Sequence, residues 1–193
     1  SGTKKGEKYI QEIFWRTYWK GWLEHRPDVY SDYLDEKNKL YKKFKNKKFY
    51  INAVNANTNL SFFNQWVNDL KNNNYLHNHV RMWFASIWIF TLKLPWQLGA
   101  DLFMQNLLDG DPASNTLSWR WSAGIQTKGK NYIARKANIE KYSDIKLKPN
   151  ENLQENEKPL IENKDYKISN LKINNIFNKS DILNIIIPTD EIN

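Results

Sequence analysis

The chain has 193 residues, 40% hydrophobic and 15% aromatic, with a formal net charge of +8. That length suits one domain, or one domain with an appendage, and the composition excludes a collagen-like chain, a disulfide scaffold and a wholly disordered chain. With no Cys there is no thiol nucleophile, thiolate metal site or iron–sulfur cluster. The three histidines (His25, His77, His79) leave little for a His-based metal centre, so no metal site is expected. No signal-peptide pattern opens the sequence. The longest apolar stretch, Met82 to Leu92, falls far short of the roughly 20 residues a membrane span needs. A cytoplasmic location without membrane contact is expected.

Charge is uneven along the chain. Residues 1–50 carry net +6, 51–142 net +4 and 143–193 net −2. The basic part is also the tryptophan-rich part, because all nine Trp lie between Trp15 and Trp121. A positive field concentrates polyanions such as nucleic acid, although a solvated basic surface has the same composition.

The periodicity is mostly helical. Ile10, Ile13, Phe14, Thr17 and Tyr18 recur at spacings of three and four, predicting an amphipathic helix over residues 6–25 that Pro27 stops. Tyr30, Tyr33, Leu34, Tyr41 and Phe44 predict a second helix over 30–48, and the Asn-containing stretch 49–59 reads as loop. Leu60, Phe63, Trp66, Val67 and Leu70 predict a third helix, broken at Asn72 to Asn74. Residues 77–92 are apolar on most sides, the mark of a buried central helix. Its first turns nevertheless hold His77, Asn78, His79 and Arg81, which need partners or a ligand because an unpaired buried polar group costs about 1–3 kcal/mol. Further helices are predicted over 96–108 and 112–123, with Pro112 suited to a first turn. Neither a βαβ alternation nor a glycine-rich phosphate loop is present. Residues 143–180, with Pro149 and Pro159, read as a linker or loosely ordered tail. The apolar run Ile182 to Ile187 reads as a short strand or docking segment.

One constellation stands out. Arg81 is the only arginine between Arg26 and Arg120, and it lies on a helix of Trp, Phe and Ile. Asp109 and Asp111 flank Gly110 on a tight turn. A buried guanidinium and turn carboxylates invite an ion pair. That pair either fixes two helices or hydrogen-bonds the edges of a heteroaromatic ligand. Trp119 and Trp121 are either core or a platform for stacking bases, worth about 1–3 kcal/mol per base. Glu12 lies one turn from Trp15 and Arg16.

Three ordered motifs carry a resemblance. The run Asn74-Tyr75-Leu76-His77-Asn78-His79-Val80-Arg81-Met82 is similar to the central motif of the photolyase/cryptochrome flavoproteins. So is Trp96 through Phe103-Met104 to Leu108-Asp109-Gly110-Asp111-Pro112-Ala113-Ser114-Asn115, followed by Ser118-Trp119-Arg120-Trp121. The segment Gln11-Glu12-Ile13-Phe14-Trp15-Arg16-Thr17-Tyr18 resembles the family's earlier Glu-x-x-Trp-Arg helix. The resemblance covers roughly residues 8–142, the C-terminal part of an all-α FAD-binding domain, and leaves 143–193 as an acidic, Asn/Lys-rich, partly disordered tail.

The resemblance implies light-dependent repair of cyclobutane pyrimidine dimers in UV-damaged DNA. Reduced FAD would donate an electron to a dimer flipped out of the duplex. Asn78, Arg81, Asp109, Gly110, Asp111 and Asn115 would contact the flavin, with Asn115 facing its reactive nitrogen. Glu12 would stabilise the lesion's radical anion. Glu12, Trp15, Arg16, Asn78, His79, Met82 and Trp121 would meet the DNA. Trp96 and Trp119 match the inner members of a tryptophan chain that photoreduces flavin, while its outermost member aligns near Ala53. Asn78 and Met82 favour the cyclobutane-dimer type, because (6-4)-repairing relatives carry His at both positions. The family's N-terminal α/β antenna domain and its Ser/Thr-rich FAD phosphate-binding segment have no counterpart in these residues, and a separate or upstream portion is expected to supply them. The alternative is a non-catalytic flavin-binding module, such as a cryptochrome-like photoreceptor or a partial domain.

Overall fold

A computed structural model describes residues 3–169, and among these every regular element is a helix. They are α1 (Thr3–Glu24), α2 (Pro27–Phe44), α3 (Lys48–Val54), α4 (Ser61–Asn73), α5 (Asn78–Ser86), α6 (Trp96–Asn106), α7 (Pro112–Ala123) and α8 (Lys136–Tyr142). Local chemistry sets the boundaries. Pro27 and Pro112 occupy first turns, where the missing N–H costs nothing. The Asp111 carboxylate caps α7 by accepting from the Ser114 N–H at 2.8 Å. Asn74 ends α4 in the left-handed conformation (φ 54°), and Gly124 ends α7 in the same way (φ 82°).

The core is aromatic. Trp83, Trp88, Trp119, Phe63 and Phe84 are all fully buried. Phe84 meets Phe63 at 4.5 Å and Phe103 at 5.0 Å, and Phe103 meets Trp119 edge-on at 5.1 Å. α6 and α7 pack together at the centre, with α2 against α6, α4 against α5 and α6, and α1 across α7.

Several expectations are corrected. Residues 49–59 are not all loop, since 48–54 form α3, which buries Ala53 and sets Tyr50 edge-on to Trp88 at 6.2 Å. Pro27 does not merely stop the first helix but starts the second. The central apolar segment is not one uniform helix. After Ser86 it widens over Ile87–Thr91, where the Leu92 N–H reaches back five residues to the Ile87 carbonyl at 2.8 Å. The widened turn lets the Trp88 indole N–H reach the Pro95 carbonyl at 2.8 Å. α8 was not foreseen.

The amphipathic stripe of α1 does not face the core. Ile10, Ile13, Phe14 and Tyr18 are all about half exposed or more, with Phe14 at 67%. α1 instead packs on α7 and α2 through another face.

Residues 143–169 are not a loose tail. They run without regular secondary structure along the helical body and are pinned by specific bonds. Glu151 is buried and takes the Ser61 N–H and hydroxyl at 2.5 and 2.6 Å, capping α4 from outside. Glu162 forks onto the buried Arg120 at 2.7 and 2.5 Å. The Leu160 N–H bonds the Ala123 carbonyl at 2.9 Å, and Pro159 packs on Gly124. The carboxylates that make this stretch acidic are its anchors. The apolar run 182–187 lies outside the described residues.

Candidate functional site

α1, the start of α5 and the α6–α7 turn enclose a cavity of about 580 Å³, within the range of small-molecule and cofactor sites. α1 supplies Glu12, Trp15, Arg16, Trp19 and Trp22, which share one helical face at spacings of three and four. Trp15 and Trp19 stack at 5.8 Å. The facing wall holds Asn78, Arg81 and Met82 from α5, Asp109, Gly110 and Asp111 from the turn, and Asn115, Trp119 and Trp121 from α7. Twelve of the fourteen residues singled out in the sequence thus line one space. The two that do not are His79, which stacks on Trp83 at 5.8 Å, and Trp96, which stacks on Tyr33 at 5.5 Å.

The Arg81–Asp109 pair forms, at 2.9 Å. Arg81 is not fully buried: its side chain is 21% exposed. Its Nε donates to the Leu76 carbonyl at 2.7 Å, and its guanidinium lies 5.5 Å from the Tyr75 ring centre. Asp109 also accepts from Arg16 at 2.8 Å, so that guanidinium ties α1 to α5 through one carboxylate. Burial alone would raise the Asp109 carboxyl, but the hydrogen bonds and charges of Arg81 and Arg16 outweigh it and hold it below the usual carboxylate range. Asp111 is likewise lowered, with burial opposed by the hydrogen bond from the Ser114 backbone N–H and by the Lys20 ammonium at 3.4 Å.

Gly110 sits in a tight spot, since a Cβ there would lie 3.0 Å from the Leu107 carbonyl oxygen. The Asn115 amide is fixed by donating to the Ala100 carbonyl at 2.8 Å. Trp121 stacks on Tyr132 at 5.7 Å. Two lining groups, the Trp119 indole N–H and the Ser114 hydroxyl, are buried without a hydrogen-bond partner. Aromatic walls, fixed carboxylates and unpaired donors match a planar heterocycle with mixed donor and acceptor edges. A diphosphate fits less well, because the two arginines of the lining are both engaged with Asp109. Sequence reasoning missed Trp19, Trp22 and Lys20; the first two continue the Glu12–Trp15 face and were findable by that spacing. No cluster of three or more His, Asp or Glu suited to a metal occurs among the described residues. No helix there is long and apolar enough to cross a membrane.

The family described as the FAD binding domain of DNA photolyase matches residues 9–150. Similar relatives include deoxyribodipyrimidine photo-lyases of Buchnera aphidicola (subspecies Baizongia pistaciae), 30% identical over 65% of this chain and 27% of the relative, and of Streptomyces griseus, 30% identical over 63% and 26%. The Neurospora crassa enzyme of that name is 28% identical over 68% of this chain and 22% of its own length. The chain therefore spans about a quarter of the length of the curated relatives it matches. No solved structure matches it. The chain belongs to the family of the FAD-binding domain of DNA photolyases, and its cofactor is FAD.

Proposed function

We propose that this chain is the flavin- and lesion-facing part of a light-driven lyase that splits cyclobutane pyrimidine dimers in UV-damaged DNA, acting in the cytoplasm. The observation that carries this reading is the convergence of the Arg81–Asp109 pair and the Glu12–Trp15 face on one cavity. Reduced FAD, when bound, supplies the light-excited electron. The chain's own residues do the rest. Asp109, Asp111 and Asn115 hold and orient the ring edge. Glu12 hydrogen-bonds the flipped lesion and steadies the negative charge that develops on it. Trp15 and Trp121 pack against the flipped bases, and Asn78 and Met82 contact them. A photosensor has no need of a lesion-facing carboxylate and indole on the cavity wall, which favours repair over a purely light-sensing role.

The charge distribution supports a polyanionic partner. Residues 37–68 carry seven Lys and no Asp or Glu. A second portion of the protein, upstream or on a separate chain, completes the cofactor site in this reading. Two features support it: the lining arginines are already paired within the cavity, and Ile10, Ile13 and Phe14 on α1 lie exposed.

The test is illumination of a thymine-dimer oligonucleotide with the chain and reduced FAD. Dimer loss in light but not in darkness is expected. Glu12→Ala should slow repair while leaving the bound-flavin absorbance intact. Bound flavin without light-dependent dimer loss overturns the repair reading in favour of a flavin-binding module.

A further inference from the structure

α7 connects two parts of the cavity that differ in chemistry. Asp111, its N-cap, stands with Asp109 at the carboxylate end. The 12 residues of α7 span about 18 Å. Past the left-handed Gly124 the chain turns back, and the Ile125 and Gln126 N–H groups both bond the Arg120 carbonyl, at 2.9 and 3.2 Å. That turn brings Gln126 to the cavity lining at the other end of α7, where Trp121 lies one turn before Gly124.

The Gln126 side chain is not free to rotate. Its Oε1 accepts from the Arg120 Nε at 3.3 Å. A guanidinium carries donors only, so the amide can meet it through oxygen and not through nitrogen. Arg120 is held in turn. It is 4% exposed, and Glu162 takes its two terminal nitrogens at 2.7 and 2.5 Å. The clamp Glu162–Arg120–Gln126 therefore leaves the two N–H donors of Gln126 Nε2 for the cavity. A side chain needed only to satisfy the Arg120 Nε would serve better as a glutamate, because a charged acceptor makes the stronger bond. The neutral amide supplies that acceptor and keeps a donor for a ligand.

We propose that Gln126 reads the C4 edge of the flipped pyrimidines, donating from Nε2 to a C4 carbonyl oxygen. This rests on the repair reading above and deepens it by naming a residue that selects among lesions. Thymine and 5-methylcytosine share a ring and a methyl group. They differ in having a carbonyl acceptor or an amine donor at C4, and in the hydrogen on N3. Dimer formation saturates C5 and C6 and leaves the C4 group in place, so the difference survives in the lesion. C4 lies across the ring from N1, which carries the sugar, so it is the edge of a flipped base that enters deepest. Gln126, backed by the buried Arg120, is placed to meet that edge. A freely rotating glutamine would turn its amide over to suit either base. The clamped one faces a C4 amine donor to donor, which leaves both groups unpaired.

The experiment measures, in darkness and by fluorescence anisotropy, how the flavin-loaded chain binds three end-labelled oligonucleotides. One carries a thymine dimer, one a 5-methylcytosine dimer used before its amines hydrolyse, and one is undamaged. The wild-type chain should bind the thymine dimer roughly tenfold or more tighter than the 5-methylcytosine dimer. Gln126→Met keeps the length of the side chain and removes the amide, and should bring the two dimers within about threefold of each other. Gln126→Glu offers an acceptor both to Arg120 and to a C4 amine, and should reverse the preference, a change of sign that loosened packing does not produce. Equal binding of the two dimers by the wild-type chain, a preference that survives Gln126→Met, or a Gln126→Glu variant that still favours the thymine dimer overturns the role of Gln126 and leaves the repair reading standing. Failure of the wild-type chain to take up flavin, or dimers bound no tighter than undamaged DNA, overturns both.

Discussion

Arg81 and Asp109 meet at 2.9 Å although they come from α5 and from the turn before α7. The same carboxylate oxygen also holds Arg16 of α1 at 2.8 Å. One acidic side chain therefore sets the relative position of three walls of the cavity. Asp109→Asn keeps the shape and removes the charge, leaving two guanidinium groups facing each other without a counterion. A hydrogen bond to a charged group is worth about 1.5–3 kcal/mol, which corresponds to a loss of flavin affinity of roughly 10- to 150-fold. Fluorescence titration with FAD checks this. Lys20→Gln, which loosens only the partly exposed contact to Asp111, should change affinity by less than about threefold.

The depressed carboxyls also fix a pH dependence. Asp109, Asp111 and Glu151 are all held below the usual carboxylate range in the folded chain. A group with a lowered folded value binds its proton more readily when unfolded. Its contribution is therefore fully present above the unfolded value of about 4 and is lost as pH falls through the lower folded value. Urea midpoints should be nearly level from pH 7 to about 5 and fall steeply below about 4. In Asp109→Asn the acid limb should be shallower, because one linked proton is gone.

Gly99 marks a packing constraint. A methyl group there would lie 2.3 Å from the Trp119 ring and 3.0 Å from Trp88, both fully buried. Neither indole can withdraw without opening the core. Gly99→Ala should therefore destabilise by about 1–3 kcal/mol, even though alanine is the better helix former. At about 2–4 °C per kcal/mol for a chain of this size, thermal melting will show the loss. A rise in Tm would mean that the Trp119 ring has room to move.

The helices and most of the cavity were legible because their signals are local. Spacings of three and four predict α1 and α4, Pro112 marks the first turn of α7, and the Asp-Gly-Asp-Pro run reads directly as a turn. What was illegible depended on partners remote in sequence. The face of α1 bearing Ile10 and Phe14 reads as core by pattern, yet no described element covers it. Residues 49–59 look loop-like from their asparagines, but Tyr50 and Ala53 find burial against the central helices and so hold α3 in place. Residues 143–169 are polar and proline-broken, with no periodicity of their own. Their order comes from Ser61, Arg120 and Ala123, up to 90 residues away. Arg16 could not be assigned from its motif, since only the folded chain brings it to Asp109.

That irregular segment yields a contrast between two acidic side chains. Glu162 neutralises Arg120, which is only 4% exposed. Asp165 pairs with Lys128 at 3.0 Å, but the two side chains are 93% and 78% exposed. Removing the Glu162 charge leaves a guanidinium with little water and only Gln126, at 3.3 Å, as a remaining side-chain hydrogen-bond partner. An unpaired buried charge is expensive, so Glu162→Ala should cost about 3 kcal/mol. Asp165→Ala should change stability by less than about 0.5 kcal/mol, because the exposed pair exchanges freely with water. Urea unfolding of the two variants side by side measures the difference. The Glu162→Ala penalty should survive 0.5 M NaCl, since a buried pair is poorly screened. Equal effects of the two substitutions would mean that residues 159–169 do not hold Arg120 in solution as they do in this structure.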